Sequence, residues 1–343
     1  GLFKYIPLFV FMVIILALIS VIIHIMFRNS VAFSDYFNMN VSSAVRAFLA
    51  HATSWIPFSF AEGIIIFLPF LLIFLFIKSF SIISGSTAST VRVISGLLCI
   101  PMLLYVIFVL GFASGYSGTY IDEKLNIERH DLSADELETC AVMLNIQLEK
   151  LQGEIVYDEN GFSVMNYSYN EMSEKLICAY NKLHEKYSFI QKLDSRIKPV
   201  MLSEPWTYTH ISGMYSYFTG EANVNTNYPD FIIPYTAAHE LAHQRGIARE
   251  NEANFIAFLV CIESDDPYIQ YSGYLNMYQY VASALNKANP NLYSEMSSNV
   301  KAAVRGELYA YSKFFKKYEK STASKVSGTI NDTYLKIQGT EGS

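Results

Sequence analysis

Charge is scarce in this chain. Charged residues make up 16% of its 343 positions against 52% hydrophobic ones, and the mean hydropathy of +0.22 is oilier than a water-soluble domain of this length. Part of the chain is therefore expected in lipid. Basic residues are outnumbered by acidic ones, 25 to 31, for a formal net charge of -6, and no Lys/Arg cluster compensates locally. A surface able to track a phosphate backbone is missing, so no nucleic acid is expected among the partners. Cysteine is sparse too: Cys99, Cys140, Cys178 and Cys261 stand apart without a C-x-x-C pair, which excludes a zinc ribbon or a dithiol redox motif. Secreted domains built on disulfides carry more cysteines at tighter spacing. There is no internal repeat.

What is present is unevenly spread. Three apolar stretches in the first third approach or reach the roughly 20 residues that cross a bilayer as a helix: Tyr5 to Phe27, about Phe58 to Ile77, and Val93 to Ala113. The first holds only His24 as an ionisable group and is closed by Arg28; the second has Glu62 near its start and Lys78 at its end; the third has no charge. A carboxylate deep in hydrocarbon is expensive, so Glu62 is expected near an interface. The first stretch is longer than the apolar core of a signal peptide and no small-x-small cleavage site follows, which predicts an uncleaved span. Lys4 precedes the first span, and the short second connection carries Lys78 and Arg92 without an acid. By the positive-inside rule both belong in the cytoplasm, and three crossings then leave everything after Ala113 outside. The expected layout is residues 1–114 as a transmembrane region and 115–343 as an extracytoplasmic domain of a multi-pass protein in the cell membrane.

Beyond the Gly115 to Gly118 turn cluster, Ser133 and Glu136 form a capping-box pattern that opens a helix to about Leu151. A second helix is expected from Tyr169 to Leu193. The stretch from Ile197 to Asp230, rich in Gly, Pro, Asn and aromatics, holds short β-like pieces at Met214 to Phe218 and Ala222 to Asn225. From Pro234 onward the pattern is helical: Tyr235 to Arg245 stopped by Gly246, Arg249 to Ile262, then Tyr268 to Lys287 and Leu292 to Lys320 parted by Asn289-Pro290.

The helix from Tyr235 carries the chemistry. His239 and His243, at i and i+4, project from one face at the separation where two imidazoles can share a tetrahedral zinc. Glu240 follows the first histidine and leans toward the open coordination place, where a carboxylate can take a proton from water. The bland alternative is a helix with one histidine buried and the other solvated. A catalytic zinc needs a third protein ligand. The metzincin pattern H-E-x-x-H-x-x-G-x-x-H would supply a histidine, but Arg249 stands there and cannot ligate. The run Glu250-Asn251-Glu252-Ala253-Asn254 resembles the E-x-x-A-D or E-x-x-A-N element of glutamate-ligand zincins. That resemblance implies Glu250 as the ligand and Asn254 as the side chain that orients a ligand histidine. Glu252 is the alternative third ligand. Two residues rotate a helical side chain by about 200°, so only one of the two carboxylates is expected to face the metal.

Gly220 to Asn225, His239 to Gly246 and Glu250 to Phe255 together resemble an uncharacterised bacterial integral-membrane family catalogued as a domain of unknown function. The likeness extends over most of the chain, and the family's members are regarded as candidate metallopeptidases with three N-terminal spans before an HExxH domain. The resemblance implies the same layout here and brings no substrate. Gly1 in place of Met and the end at Ser343 suggest termini trimmed relative to that family. The fold expected is mainly α: three transmembrane helices, then a zincin-like, predominantly helical metallopeptidase domain with a small β element. The expected activity is zinc-dependent peptide-bond hydrolysis on a peptide or protein substrate, with Zn2+ as cofactor and the lipid bilayer as partner. Glu221, Ala222, Asn223, Val224 and Asn225 are read either as a substrate-pairing strand or as an ordinary turn. His210, Tyr215 and Tyr217 are candidate donors to the transition-state oxyanion. The competing function is a non-catalytic zinc-containing membrane receptor or scaffold that binds peptides.

Overall fold

Residues 5–83, 86–319 and 321–338 are described by the computed structural model. They are mainly helical, with 71% helix and 4% strand, and fall into two compact units, Gly1–Thr119 with Ser216–Glu221, and Tyr120–Tyr215 with Ala222–Ser343.

The first unit contains α1 (Leu8–Asn29), α2 (Val31–Phe37), α3 (Ser43–Thr53), α4 (Phe60–Ile83) and α5 (Thr87–Gly111). Three segments are long and apolar enough to cross a membrane, Leu8–Asn29, Phe60–Lys78 and Thr87–Gly111. Large apolar side chains such as Phe67 and Phe70 stand exposed on them, as lipid-facing positions do. The third begins earlier than its apolar run because the Ser86 side chain accepts from the Ser89 amide and caps a polar first turn. His24 of α1 meets the Tyr105 hydroxyl of α5 at 2.9 Å, which gives the ionisable group in the middle of the first span a partner. The link between the first two spans is helical. α2 and α3 are joined by a π-helical turn at Asn38–Ser42. Arg46, fully buried, donates to the Asn38 side chain (2.8 Å) and to the carbonyl of Gly111 (2.9 Å).

Ser216–Glu221 packs with these helices. The Glu221 carboxylate accepts from the amides of Phe60 (3.1 Å) and Ala61 (2.8 Å), so an anion sits on the unsatisfied N–H groups at the start of α4. Gly220 has φ +73°, and a Cβ there would lie 2.5 Å from the Ala50 amide nitrogen.

The second unit holds α6 (Ile121–Leu125), α7 (Ala134–Leu151), α8 (Tyr169–Lys186), β1 (Lys198–Pro199), α9 (Ser203–Thr207), β2 (Gly213–Ser216), β3 (Glu221–Val224), α10 (Ile233–Gln244), α11 (Glu250–Glu263), α12 (Pro267–Ala288), α13 (Pro290–Ser298), α14 (Ala302–Phe315) and α15 (Thr322–Ile337). Ser133 and Glu136 complete both bonds of the capping box on α7. α8 stops seven residues before the expected Leu193, since Tyr187 is extended at its C-cap, and the long final helix is split at Asn299 to Lys301 into α13 and α14. One core is built by α8, α10, α11 and the sheet, a second by α7, α12, α13 and Val304 of α14.

The sheet order is β1-β3-β2, with β1 parallel to β3. This corrects the reading of Glu221 to Asn225 as a substrate-pairing strand. β3 is the central strand, its four residues are buried, and Asn223 and Val224 lie opposite Lys198 and Pro199 of β1. Asn225, just beyond it, donates its amide to Ser212 (2.8 Å) and its side chain to Thr207 and Ile211. β2 is an edge strand.

Candidate metal centre

α10 is buried almost all round, from Ile233 through Gln244, with Pro234 in its first turn. Its end is set by Gly246, at φ +91°, where a glycine avoids the Cβ clash of the left-handed region. The Gly246 amide returns to His243 (2.9 Å) and that of Ile247 to Ala242 (3.1 Å), so the chain reverses within five residues and α11 starts at Glu250.

That reversal puts Glu250 against both histidines. Its Oε2 lies 3.2 Å from Nε2 of His239 and 3.6 Å from Nε2 of His243. The two rings stand 4.6 Å apart and nearly perpendicular, at 88°. One ligand atom from each of the three residues falls within 4.8 Å of the others, a group able to hold a metal ion. His243 is oriented by its other nitrogen: Nδ1 meets the Ile247 carbonyl at 2.7 Å. A carbonyl only accepts, so Nδ1 carries the hydrogen and Nε2 keeps its lone pair toward Glu250 when the ring is neutral. Burial alone would lower the His243 pKa, but the charge and hydrogen bond of Glu250 prevail and lift it to about 9. Burial pushes Glu250 upward and the two histidines more than reverse it, leaving the carboxylate well below its ordinary range.

Glu240 is 5% exposed. Burial raises its pKa, against the pull of His239, His243 and a backbone hydrogen bond from Tyr215. Glu252 lies elsewhere: its carboxylate accepts from the Ile121 amide (3.0 Å) and pairs with Arg249 (3.1 Å), whose guanidinium lies over the Tyr120 ring. Asn254 offers its carbonyl to the Tyr235 hydroxyl at 3.0 Å. Nδ1 of His239, the atom an orienting side chain would hold, is buried with no hydrogen-bond partner. Among the candidate oxyanion donors, only Tyr215 is brought to Glu240. His210 binds the Tyr318 carbonyl (2.8 Å) and packs on Phe315, and Tyr217 packs on Phe108 within the first unit.

Several residues at the site carried no legible signal. Tyr180 of α8 donates to the Ala238 carbonyl beneath the cluster (2.5 Å) and carries Arg245 over its ring at 4.0 Å. Gly213 of β2 adjoins Glu240 and Thr236. Both come from elements distant in sequence from α10. A cavity of about 1020 Å³ between α12, α13 and α14, walled by Tyr278, Tyr293, Arg305 and Tyr311 among others, includes none of the cluster residues.

The described residues thus form a helical protein with candidate membrane spans and a His-His-Glu group able to take a metal. The chain belongs to the family described as Protein of unknown function (DUF3810), whose model matches residues 34–343. Comparison with curated proteins and with solved structures finds no match.

Proposed function

We propose that the chain is a membrane-anchored zinc-dependent peptidase of zincin type, with His239, His243 and Glu250 as ligands and Glu240 as general base. The observation that carries this reading is the spacing of the donor atoms. Ligands about 2.0–2.1 Å from a tetrahedral zinc are separated from one another by roughly 3.3–3.4 Å. The donor separations of 3.2 and 3.6 Å fit that edge. Two imidazoles and one carboxylate, with a fourth place left over, also match the donor set of catalytic rather than structural zinc.

Bound there, zinc supplies Lewis-acid polarisation of a carbonyl and brings the pKa of water to about 7. The chain's part is proton handling. Glu240 accepts the proton of the attacking water and returns it to the leaving amine, a double task suited to a carboxylate whose pKa is raised by burial. The Ile247 carbonyl holds His243 in the ligating tautomer. β2, an edge strand beside Glu240, is the part of the sheet nearest the proposed reacting bond. Lys4, Lys78 and Arg92 favour a cytoplasmic start and short second connection, hence an extracytoplasmic catalytic domain acting on peptides or protein segments near the membrane surface.

The test is metal analysis and peptide-library cleavage with the full chain in detergent, wild type beside Glu240→Gln. The peptidase reading expects about one zinc per chain in both proteins and cleavage by the wild type alone. A wild type that binds peptides and cuts none would overturn it in favour of a receptor or scaffold.

A further inference from the structure

Glu240 is met from outside its helix by one short stretch of main chain. The Tyr215 amide gives its carboxylate a hydrogen bond. Two residues earlier on β2, and so on the same face of the strand, Gly213 comes against the same side chain. A Cβ on Gly213 would lie 2.7 Å from both Cγ and Oε1 of Glu240, and 2.6 Å from Cγ2 of Thr236. Gly213 is absent from the positive-φ glycines, which are Gly161, Gly220 and Gly246. Contact, not backbone angle, is what calls for glycine here.

We propose that β2 is the cradle of the general base: Gly213, by lacking a side chain, and Tyr215, by its amide, are positioning residues that hold the Glu240 carboxylate beside the His-His-Glu cluster. The proposal rests on the peptidase reading for the role of Glu240, while the contact itself is independent of any metal. Which neighbour would yield to a methyl at position 213 follows from side-chain stiffness. Thr236 is β-branched and confined in a helix. Glu240 has a long side chain whose end can swing. Restoring an ordinary contact of 3.4 Å from 2.7 Å moves the carboxylate by roughly 0.7 Å, close to the ~1 Å misplacement that costs about a hundredfold in rate. None of the three nearest atoms belongs to a proposed metal ligand.

The test uses the full chain with every variant in a Thr236→Ser background, which removes the Thr236 methyl and leaves Glu240 as the nearest group to the new side chain. Gly213→Ala is expected to keep its zinc and its KM within about twofold, and to lose about a hundredfold in kcat. Parental kcat, or loss of zinc, overturns the proposal. A double-mutant cycle in the chelated, metal-free protein gives a second readout. The drop in thermal midpoint caused by Gly213→Ala should shrink when Glu240→Ala is also present. An equal drop in both backgrounds overturns the cradle. Should Gly213→Ala alone fail to fold, the pair with Glu240→Ala must fold, and failure of both overturns the cradle as well. A parent that holds zinc and cleaves nothing would remove the peptidase reading while the cycle still decides whether the cradle exists.

Discussion

Truncating Glu250 and Glu252 separately should give opposite phenotypes, although only one residue parts them on α11. The Glu252 side chain is 7% exposed and that of its partner Arg249 is 9% exposed. Removing its carboxylate breaks a buried ion pair, which costs ~3–5 kcal/mol, and strips the Ile121 amide of its acceptor, which costs ~1–3 kcal/mol. The Tyr120 ring, 3.8 Å from the Arg249 guanidinium, keeps part of that charge compensated, by about 1 kcal/mol. A net loss of about 4 kcal/mol lowers the midpoint of a domain this size by roughly 8–16 °C. The Glu250 side chain is 40% exposed, and its truncation in the metal-free protein removes the partner that raises His243, a loss felt most below pH 6.5 and fading as pH climbs through about 9. The same truncation should weaken zinc binding by more than the ~10–100-fold typical of a ligand's hydrogen-bonding partner. The assay is zinc content by elemental analysis, together with thermal unfolding of chelated protein in detergent. Glu252→Ala emptied of metal with an unchanged midpoint, or Glu250→Ala keeping its full metal, would refute the assignment.

Four further outcomes are expected. In the metal-free protein His243 is raised from 6.5 to about 9. Its protonation therefore stabilises the fold fully below pH 6.5, and that contribution is lost as pH climbs through about 9, which unfolding midpoints between pH 6 and 10 will register. By the same proton, zinc binding near pH 7 should expel about one H⁺ and tighten by about tenfold per pH unit, as read by calorimetry in buffers of different ionisation enthalpy. Gly220→Ala forces a side chain into φ +73° and against the Ala50 amide and the Leu49 carbonyl carbon, backbone atoms that have little room to yield; a loss of about 3 kcal/mol is expected in denaturant unfolding. Glu307→Ala should cost about 3 kcal/mol in the same measurement, because the Ser163 amide loses its acceptor inside the core, while the Ser163 and Tyr271 hydroxyls, which also donate to Glu307, can turn to those of Tyr268 and Tyr157.

Local patterns were readable, and pairings between distant segments were not. Apolar length announced the three candidate spans, Ser133 with Glu136 announced the start of α7, and the i, i+4 spacing placed His239 and His243 on one face. The helices between the first two spans were opaque because their order rests on interactions such as Arg46 with Asn38 and Gly111, which join sequence positions no periodicity links. The β-like character of 222–225 was visible, but its place in the sheet was not. β1 is two residues long, Lys198–Pro199, too short to leave an alternation, and it is this strand that makes β3 central.

The same division runs through the candidate site. The proposed ligands are encoded locally: α10, the turn at Gly246 and the first residue of α11 bring three donors together within twelve residues, His239 to Glu250. A mutation there acts on metal affinity first. The proposed base is held from afar, because Glu240 meets Gly213 and the Tyr215 amide across a gap of 25 or more residues. The strand that carries those two runs into Ser216–Glu221, which packs with the helices of the first unit through Glu221 on the α4 N-terminus. On the peptidase reading proposed above, metal binding and base alignment depend on different parts of the chain. Changes in the β2–β3 turn should alter turnover at constant zinc content, whereas changes at the Gly246 reversal should alter zinc content itself.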